Sequence, residues 1–267
     1  MRIFDAFGRD RTVRTWPGRE TEQMSTVVEN EAERSDYHVP HHSHRDVNGG
    51  WLRPAVFGAM DGLVSNFALI TGVAGGHAAN KTIVIAGLVG LAAGAFSMAA
   101  GEYTSVASQR ELVEAELELE RLELRRNPKA ELHELAKLYE SRGVEPKLAL
   151  EVARQLSADP EQALEIHARE ELGVDPSDLP SPLVAAVSSF GSFAAGALLP
   201  VLPYLLGAGA LWPSLLVALL GLFVCGAVVA RVTARSWWFS GLRQLVLGAA
   251  AAGVTFVLGS LFGTAVG

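Results

Sequence analysis

From Leu183 to Ala230, and again from Gln244 to the C-terminal Gly267, the chain contains no Asp, Glu, Lys or Arg. A soluble domain needs charge on the solvent face of its elements, so uncharged runs this long point to hydrocarbon. There the backbone polar groups must be satisfied inside helices. Two more apolar stretches lie upstream. Pro54 to Ala79 holds one acidic residue, Asp61, within Asp61-Gly62-Leu63-Val64-Ser65-Asn66, and the next stretch ends in Met98-Ala99-Ala100-Gly101-Glu102-Tyr103. Both are long enough to cross a bilayer. A carboxylate in the hydrocarbon costs about 2.5 kcal/mol or more on insertion scales, so one that is kept there marks an ion path.

The pattern predicts an all-α membrane protein with five transmembrane helices and a cytosolic helical insert between spans two and three. The spans run from Leu52 to Gly76, Thr82 to Ser105, Leu183 to Leu206, Leu211 to Ala230 and Phe239 to Phe262, with Pro200 and Pro203 kinking or ending the third. Four regions follow: a disordered cytosolic tail over 1–50, spans one and two within 51–105, a cytosolic metal-binding domain over 106–180, and spans three to five within 181–267. Arg45 and Arg53 precede span one, the insert is rich in Arg and Lys, and Arg231, Arg235 and Arg243 lie between spans four and five. The other side offers only Lys81. The positive-inside rule therefore puts the N-terminus and the insert in the cytosol.

Charge excludes some partners. The formal net charge is -7, and the acidic residues concentrate between Glu102 and Asp178, so nucleic acid is not expected as a partner. Cys225 is the single cysteine and sits in an apolar run, which excludes a disulfide framework and fits a small buried hydrophobe. The first 50 residues have no apolar signal-peptide core. His38, His41, His42 and His44 cluster just before span one, where they could capture a metal ion near a pore.

On span two, Gly90, Gly94, Met98 and Glu102 recur every fourth residue and share one stripe. Such a stripe serves as a tight packing seam or as a ligand ladder. The insert carries Glu120 with Glu123, and Glu131 with Glu134, each pair three residues apart and so on one helix face. Two facing helices would then present four carboxylates that repel unless a divalent cation neutralises them. The competing reading is a solvated charged face balanced by Arg121, Arg125, Arg126 and Lys137. Asn127-Pro128 and Asp159-Pro160 are helix stops and starts, with proline at the first helical position.

Asp61-Gly-Leu-Val, then Ser97-Met98-Ala-Ala-Gly101-Glu102-Tyr103, then a Glu-rich helical insert and three further spans resembles the vacuolar iron transporter family, from about Trp51 to the C-terminus. The resemblance implies a homodimeric exporter of Fe²⁺, often also Mn²⁺, in iron homeostasis, driven by counterflow of protons. It implies a pathway through Asp61, Met98 and Glu102, and a cytosolic metal site of Glu120, Glu123, Glu131, Glu134 and Glu171. A methionine pair of some eukaryotic members corresponds here to His167 and Ala168. His167 replaces a thioether with a borderline ligand, while Ala168 cannot ligate.

Several expectations follow for function. The protein is not an enzyme and has no prosthetic group; Fe²⁺, Mn²⁺ or Zn²⁺ is its bound and transported ion. Cytosolic glutamates collect the ion, Glu102 passes it inward, and Met98 and Asp61 replace part of its water. A soft thioether disfavours Mg²⁺ and Ca²⁺. Ala, Gly and Arg usage suggests a prokaryotic inner membrane, with a vacuolar membrane as the alternative. A di-iron oxidase is excluded, because no histidine has the glutamate three positions earlier that such a site needs. A membrane-anchored metal sensor or scaffold without transport stays open.

Overall fold

The computed structural model describes residues 50–232 and 235–266, so the expected tail and its histidine cluster lie outside the described residues. Eight α-helices follow in order: α1 Leu52–Gly75, α2 Asn80–Arg126, α3 Pro128–Ser141, α4 Pro146–Leu156, α5 Pro160–His167, α6 Pro182–Leu205, α7 Trp212–Val232 and α8 Trp237–Val266. A single π-helical turn, Ala168–Leu172, extends α5, and there is no strand among the described residues. Among the described residues, five helices (α1, α2, α6, α7 and α8) are long and apolar enough to cross a membrane. The protein is an all-α integral membrane protein, as the uncharged runs require.

Many large apolar side chains face outward, among them Phe96 at 68%, Leu220 at 65% and Phe262 at 66% exposure, an arrangement that only lipid or a partner subunit could cover. What holds the helices together is close approach. α1 lies at the centre and packs against α6, α8, α2 and α7. A Cβ on Gly62 would overlap the carbonyl of Phe193, and one on Gly196 would overlap that of Ala59, so α1 and α6 touch backbone to backbone. Gly259 of α8 meets Gly72 of α1 in the same way.

Polar groups reinforce the centre. Asn66 is buried and its Nδ2 donates to the carbonyls of Gly87, at 3.1 Å, and Ala197, at 2.6 Å, tying α1 to both α2 and α6. Pro200 and Pro203 do not end α6, which runs two residues past the second of them. Cys225 is half-buried against the cluster of Leu63, Phe67 and Leu222, the hydrophobe's place expected of it.

α2 is one unbroken helix of 47 residues that leaves the apolar bundle and carries its acidic part outward. It stops where Asn127 precedes Pro128, because proline's ring bars the helical conformation from the residue before it; Asn127 has φ -130° and ψ 46°. Pro128, Pro146 and Pro160 each open a helix of the insert, where the missing N–H costs nothing. Asp159 caps α5, its Oδ1 accepting from the amides of Glu161 at 3.0 Å and Gln162 at 2.9 Å. The insert has its own small core of Leu135, Ala136 and Ala153, with Tyr139 and Ile166 packed against it.

Candidate metal centre

The chemistry of the insert converges on one buried imidazole. His167 ends α5 with its side chain fully buried, and its Nδ1 stands 2.9 Å from Glu120 Oε1, 2.9 Å from Glu171 Oε1 and 3.9 Å from Glu131 Oε2. One ring nitrogen can donate to one oxygen at a time, so two carboxylates at equal distance cannot both be satisfied by it. Glu120 Oε1 and His167 Nε2 are buried without hydrogen-bond partners. Ligands held about 2.0–2.2 Å from a shared ion stand about 3 Å apart, so the donor atoms of Glu120, His167 and Glu171, all within 4.8 Å of one another, suit a divalent cation.

Electrostatics agrees with geometry. Burial pushes the Glu120 carboxyl above its ordinary range, and repulsion from Glu171 adds to it, while His167 opposes the rise. Glu131, 8% exposed, is pushed up by burial first and by Glu134 second. These carboxylates are charged at a cost that a cation would remove.

The five glutamates and the histidine expected at this site are not equivalent. Glu120, Glu131, Glu171 and His167 meet. Glu123 turns aside to accept from Asn127 Nδ2 at 3.0 Å, and Glu134 is exposed on the rim. None of these glutamates pairs with Arg121, Arg125, Arg126 or Lys137 among the described residues. Arg121 instead reaches Glu118 at 3.1 Å and Glu161 at 3.9 Å. The balancing role expected of those cations is absent at this cluster. Glu171 sits in the π-helical turn, one residue from Glu170, which bonds to Tyr139 of α3 and to Arg142, the residue just after that helix, and so anchors the turn.

A second cavity of about 350 Å³ lies between α1, α2 and α6 and is lined by Asp61, Met98 and Glu102 together with Ser65, Ser97, Ser105 and Phe193. The stripe on α2 divides here. Gly90 faces Leu69 and Asn66, and Gly94 faces the ring of Phe193, so the glycine half is a packing seam. Met98 and Glu102 open onto the cavity, though Met98 also packs against the cluster of Ala95 and Phe193. The hydroxyls of Ser65 and Ser97, which stand within the two sequence motifs, and of Ser105, which no motif marked, add oxygen donors. Phe193 was equally unmarked.

The model of the VIT family matches residues 52–260. The chain belongs to the VIT family. Among its relatives, the vacuolar iron transporter of Acanthamoeba castellanii is 42% identical over 218 residues, covering 79% of this chain and 78% of that protein. Vacuolar iron transporter 1 of Arabidopsis thaliana is 28% identical over 224 residues, 82% of this chain and 90% of that protein. Vacuolar iron transporter homolog 1 of Oryza sativa subsp. japonica is 34% identical over 224 residues, 80% of this chain and 74% of that protein. Both the membrane cavity and the acidic cluster of this VIT-family chain fall inside the matched residues.

Proposed function

We propose that this chain is a transporter, and not an enzyme, that moves Fe²⁺, and Mn²⁺ as a second substrate, out of the cytosol in exchange for protons. Membership of the VIT family and relatives named vacuolar iron transporters support metal transport. The observation that carries the reading is the meeting of Asp61, Met98 and Glu102 on one cavity between the first two spans. A carboxylate, a thioether and a second carboxylate offer an incoming cation two hard ligands and one soft one. That set favours transition metals over Mg²⁺ and Ca²⁺, which take all-oxygen shells.

The route begins at the insert, which faces the cytosol with the N-terminus. Glu120, Glu131, His167 and Glu171 strip part of the ion's water, with Glu123 and Glu134 adding negative charge nearby. α2 then links the cluster to Glu102 as one rigid helix. Protons from the far side compete with the metal for Asp61 and Glu102, lowering their hold on it and supporting release. Asp61 is exposed in the single chain, and a second copy placed against this face would enclose it, which supports a homodimer. The relatives' names favour a vacuolar membrane over the prokaryotic inner membrane suggested by composition.

The test is uptake of radiolabelled Fe²⁺ into proteoliposomes with the interior acidic, against the same vesicles without a pH gradient. Flux that rises with the gradient supports antiport. Metal binding without flux under any gradient returns the protein to the sensor reading.

A further inference from the structure

Next to the acidic cluster, and on the same helices, lies a cavity that transport leaves unused. It measures about 600 Å³ between the ends of α2 and α4 and the starts of α3 and α5. That size is within the range of small-molecule sites and several times what an inorganic anion fills. Leu124, Leu132 and Leu164 give it an apolar floor, while Arg121, Arg125 and Arg154 line it against a single carboxylate, Glu161. Along α2 the two sites are one residue out of step, Glu120 facing the metal cluster, Arg121 and Leu124 facing the cavity.

Three features give the cavity a chemical preference. Arg125 has no carboxylate partner among the described residues, whereas exposed Arg154 pairs with Glu151 at 2.9 Å and half-buried Arg121 with Glu118 at 3.1 Å and, more distantly, Glu161 at 3.9 Å, surface pairs from which a stronger anion would draw them. Ser157 is among the residues lining the same cavity, its hydroxyl turned into the protein without a hydrogen-bond partner. The first free amides of α5 are already taken by Asp159, so an anion here rests on side chains. Guanidinium forks match phosphate oxygens two at a time, and three around one rim suit several phosphate oxygens better than one carboxylate. At 1.5 Å per residue, Arg125 lies about 30 Å along α2 beyond Ser105, the end of the apolar segment. A lipid headgroup is out of reach, and the occupant comes from solution.

We propose that this cavity binds a soluble organic phosphate of nucleotide size, its phosphates on Arg121, Arg125 and Arg154 and its apolar body on the leucine floor. The experiment is calorimetric titration of the full-length protein in neutral detergent with ATP, a chelator keeping divalent metal away. Saturable binding of one ATP per chain is expected, weakened at least tenfold in Arg125→Gln/Arg154→Gln, several-fold in Arg125→Gln alone, and unchanged in Arg110→Gln, which like Arg125→Gln removes one positive charge from α2 but outside the cavity. Arg125→Lys, at an exposed position, keeps the charge and loses the fork; weakening there carries the test if the double variant melts early. Inorganic phosphate and citrate are the competitors. Displacement of ATP by either at equal concentration would overturn the nucleotide assignment, as would unsaturable binding or equal weakening in Arg110→Gln. No metal and no flux enters this titration, so its failure leaves the transport reading untouched, and failed transport leaves the cavity untouched.

Discussion

The insert and the membrane half both gather carboxylates, yet they treat them in opposite ways. In the insert, Glu120, Glu131 and Glu171 crowd a fully buried histidine, and burial with mutual repulsion raises the carboxyl pKa values of Glu120 and Glu131. In the membrane half, Asp61 lies on an open cavity with Met98 and Glu102, its neighbours being hydroxyls and one aromatic ring. A crowded cluster binds a cation strongly because the cation ends the repulsion. A sparse one holds it weakly enough to let it pass. On the proposed transport reading, capture and passage demand different densities of charge, and the 47-residue α2 runs through both clusters.

The comparison breaks most sharply at Asp61. Asp61→Ala is expected to reduce metal flux in proteoliposomes to background while the protein stays folded, since it deletes a pathway ligand and also relieves an insertion cost. Wild-type flux in a folded variant would take the pathway away from this cavity. In the insert, replacing Glu120, Glu123, Glu131 and Glu134 together by Gln is expected to abolish stabilisation by metal. For wild type at a hundredfold excess over Kd, that stabilisation is about 2.7 kcal/mol by mass action. Flux should fall several-fold at limiting metal and recover at high metal, because Asp61 and Met98 remain. Split into halves, the Glu120/Glu131 pair should account for most of the loss and Glu123/Glu134 for little, as their positions dictate; equal losses would mean the ion sits nearer the rim.

The same contrast explains what could be read in advance. The spans were legible because hydrocarbon tolerates almost no charge, so an absence of Asp, Glu, Lys and Arg is itself the signal. Pro128 and Pro160 marked helix starts for an equally local reason. The pairing of Glu120/Glu123 with Glu131/Glu134 was legible as helix faces, but which member turns inward was not, because that depends on how α2, α3 and α5 cross. The full burial of His167 has no signature in its neighbours, and the π-helical turn that carries Glu171 has none either. Arg121 and Arg125 looked like partners for the nearby glutamates; one residue is about 100° of helix, and that rotation puts them on another face.

A smaller effect separates the two regions by pH. Glu120 and Glu131 have folded-state pKa values above the ordinary 4.5, so the native insert binds more protons than the unfolded chain in the interval above that value. Their contribution to metal-free stability is fully present below about pH 4.5 and is lost as pH rises through the raised values. Metal requires the deprotonated forms, so the gain on adding Mn²⁺ should grow over the same interval. Thermal melting of the insert, residues 107–177, with chelator and with Mn²⁺ at pH 4.5, 6 and 7.5 checks both trends. Parallel curves with no pH dependence would mean that the carboxylates ionise freely and carry no stored repulsion.

The finest distinction concerns Met98, which stands in both worlds: it packs against Ala95 and Phe193 and lines the cavity with Asp61. Met98→Leu keeps the volume and removes the sulfur, a change that costs less than about 1.5 kcal/mol in a well-packed site. Stability should therefore hardly move, and neither should maximal flux, since both carboxylates survive. What should change is preference. Without its one soft donor the cavity offers oxygen alone, and Mg²⁺, normally rejected, should compete more strongly with Fe²⁺ for uptake. Competition assays on wild type and variant read this directly. An unchanged Fe²⁺ to Mg²⁺ ratio would assign Met98 to packing only and leave selectivity to the crowded cluster in the insert, where His167 is then the single ligand that is not a hard oxygen.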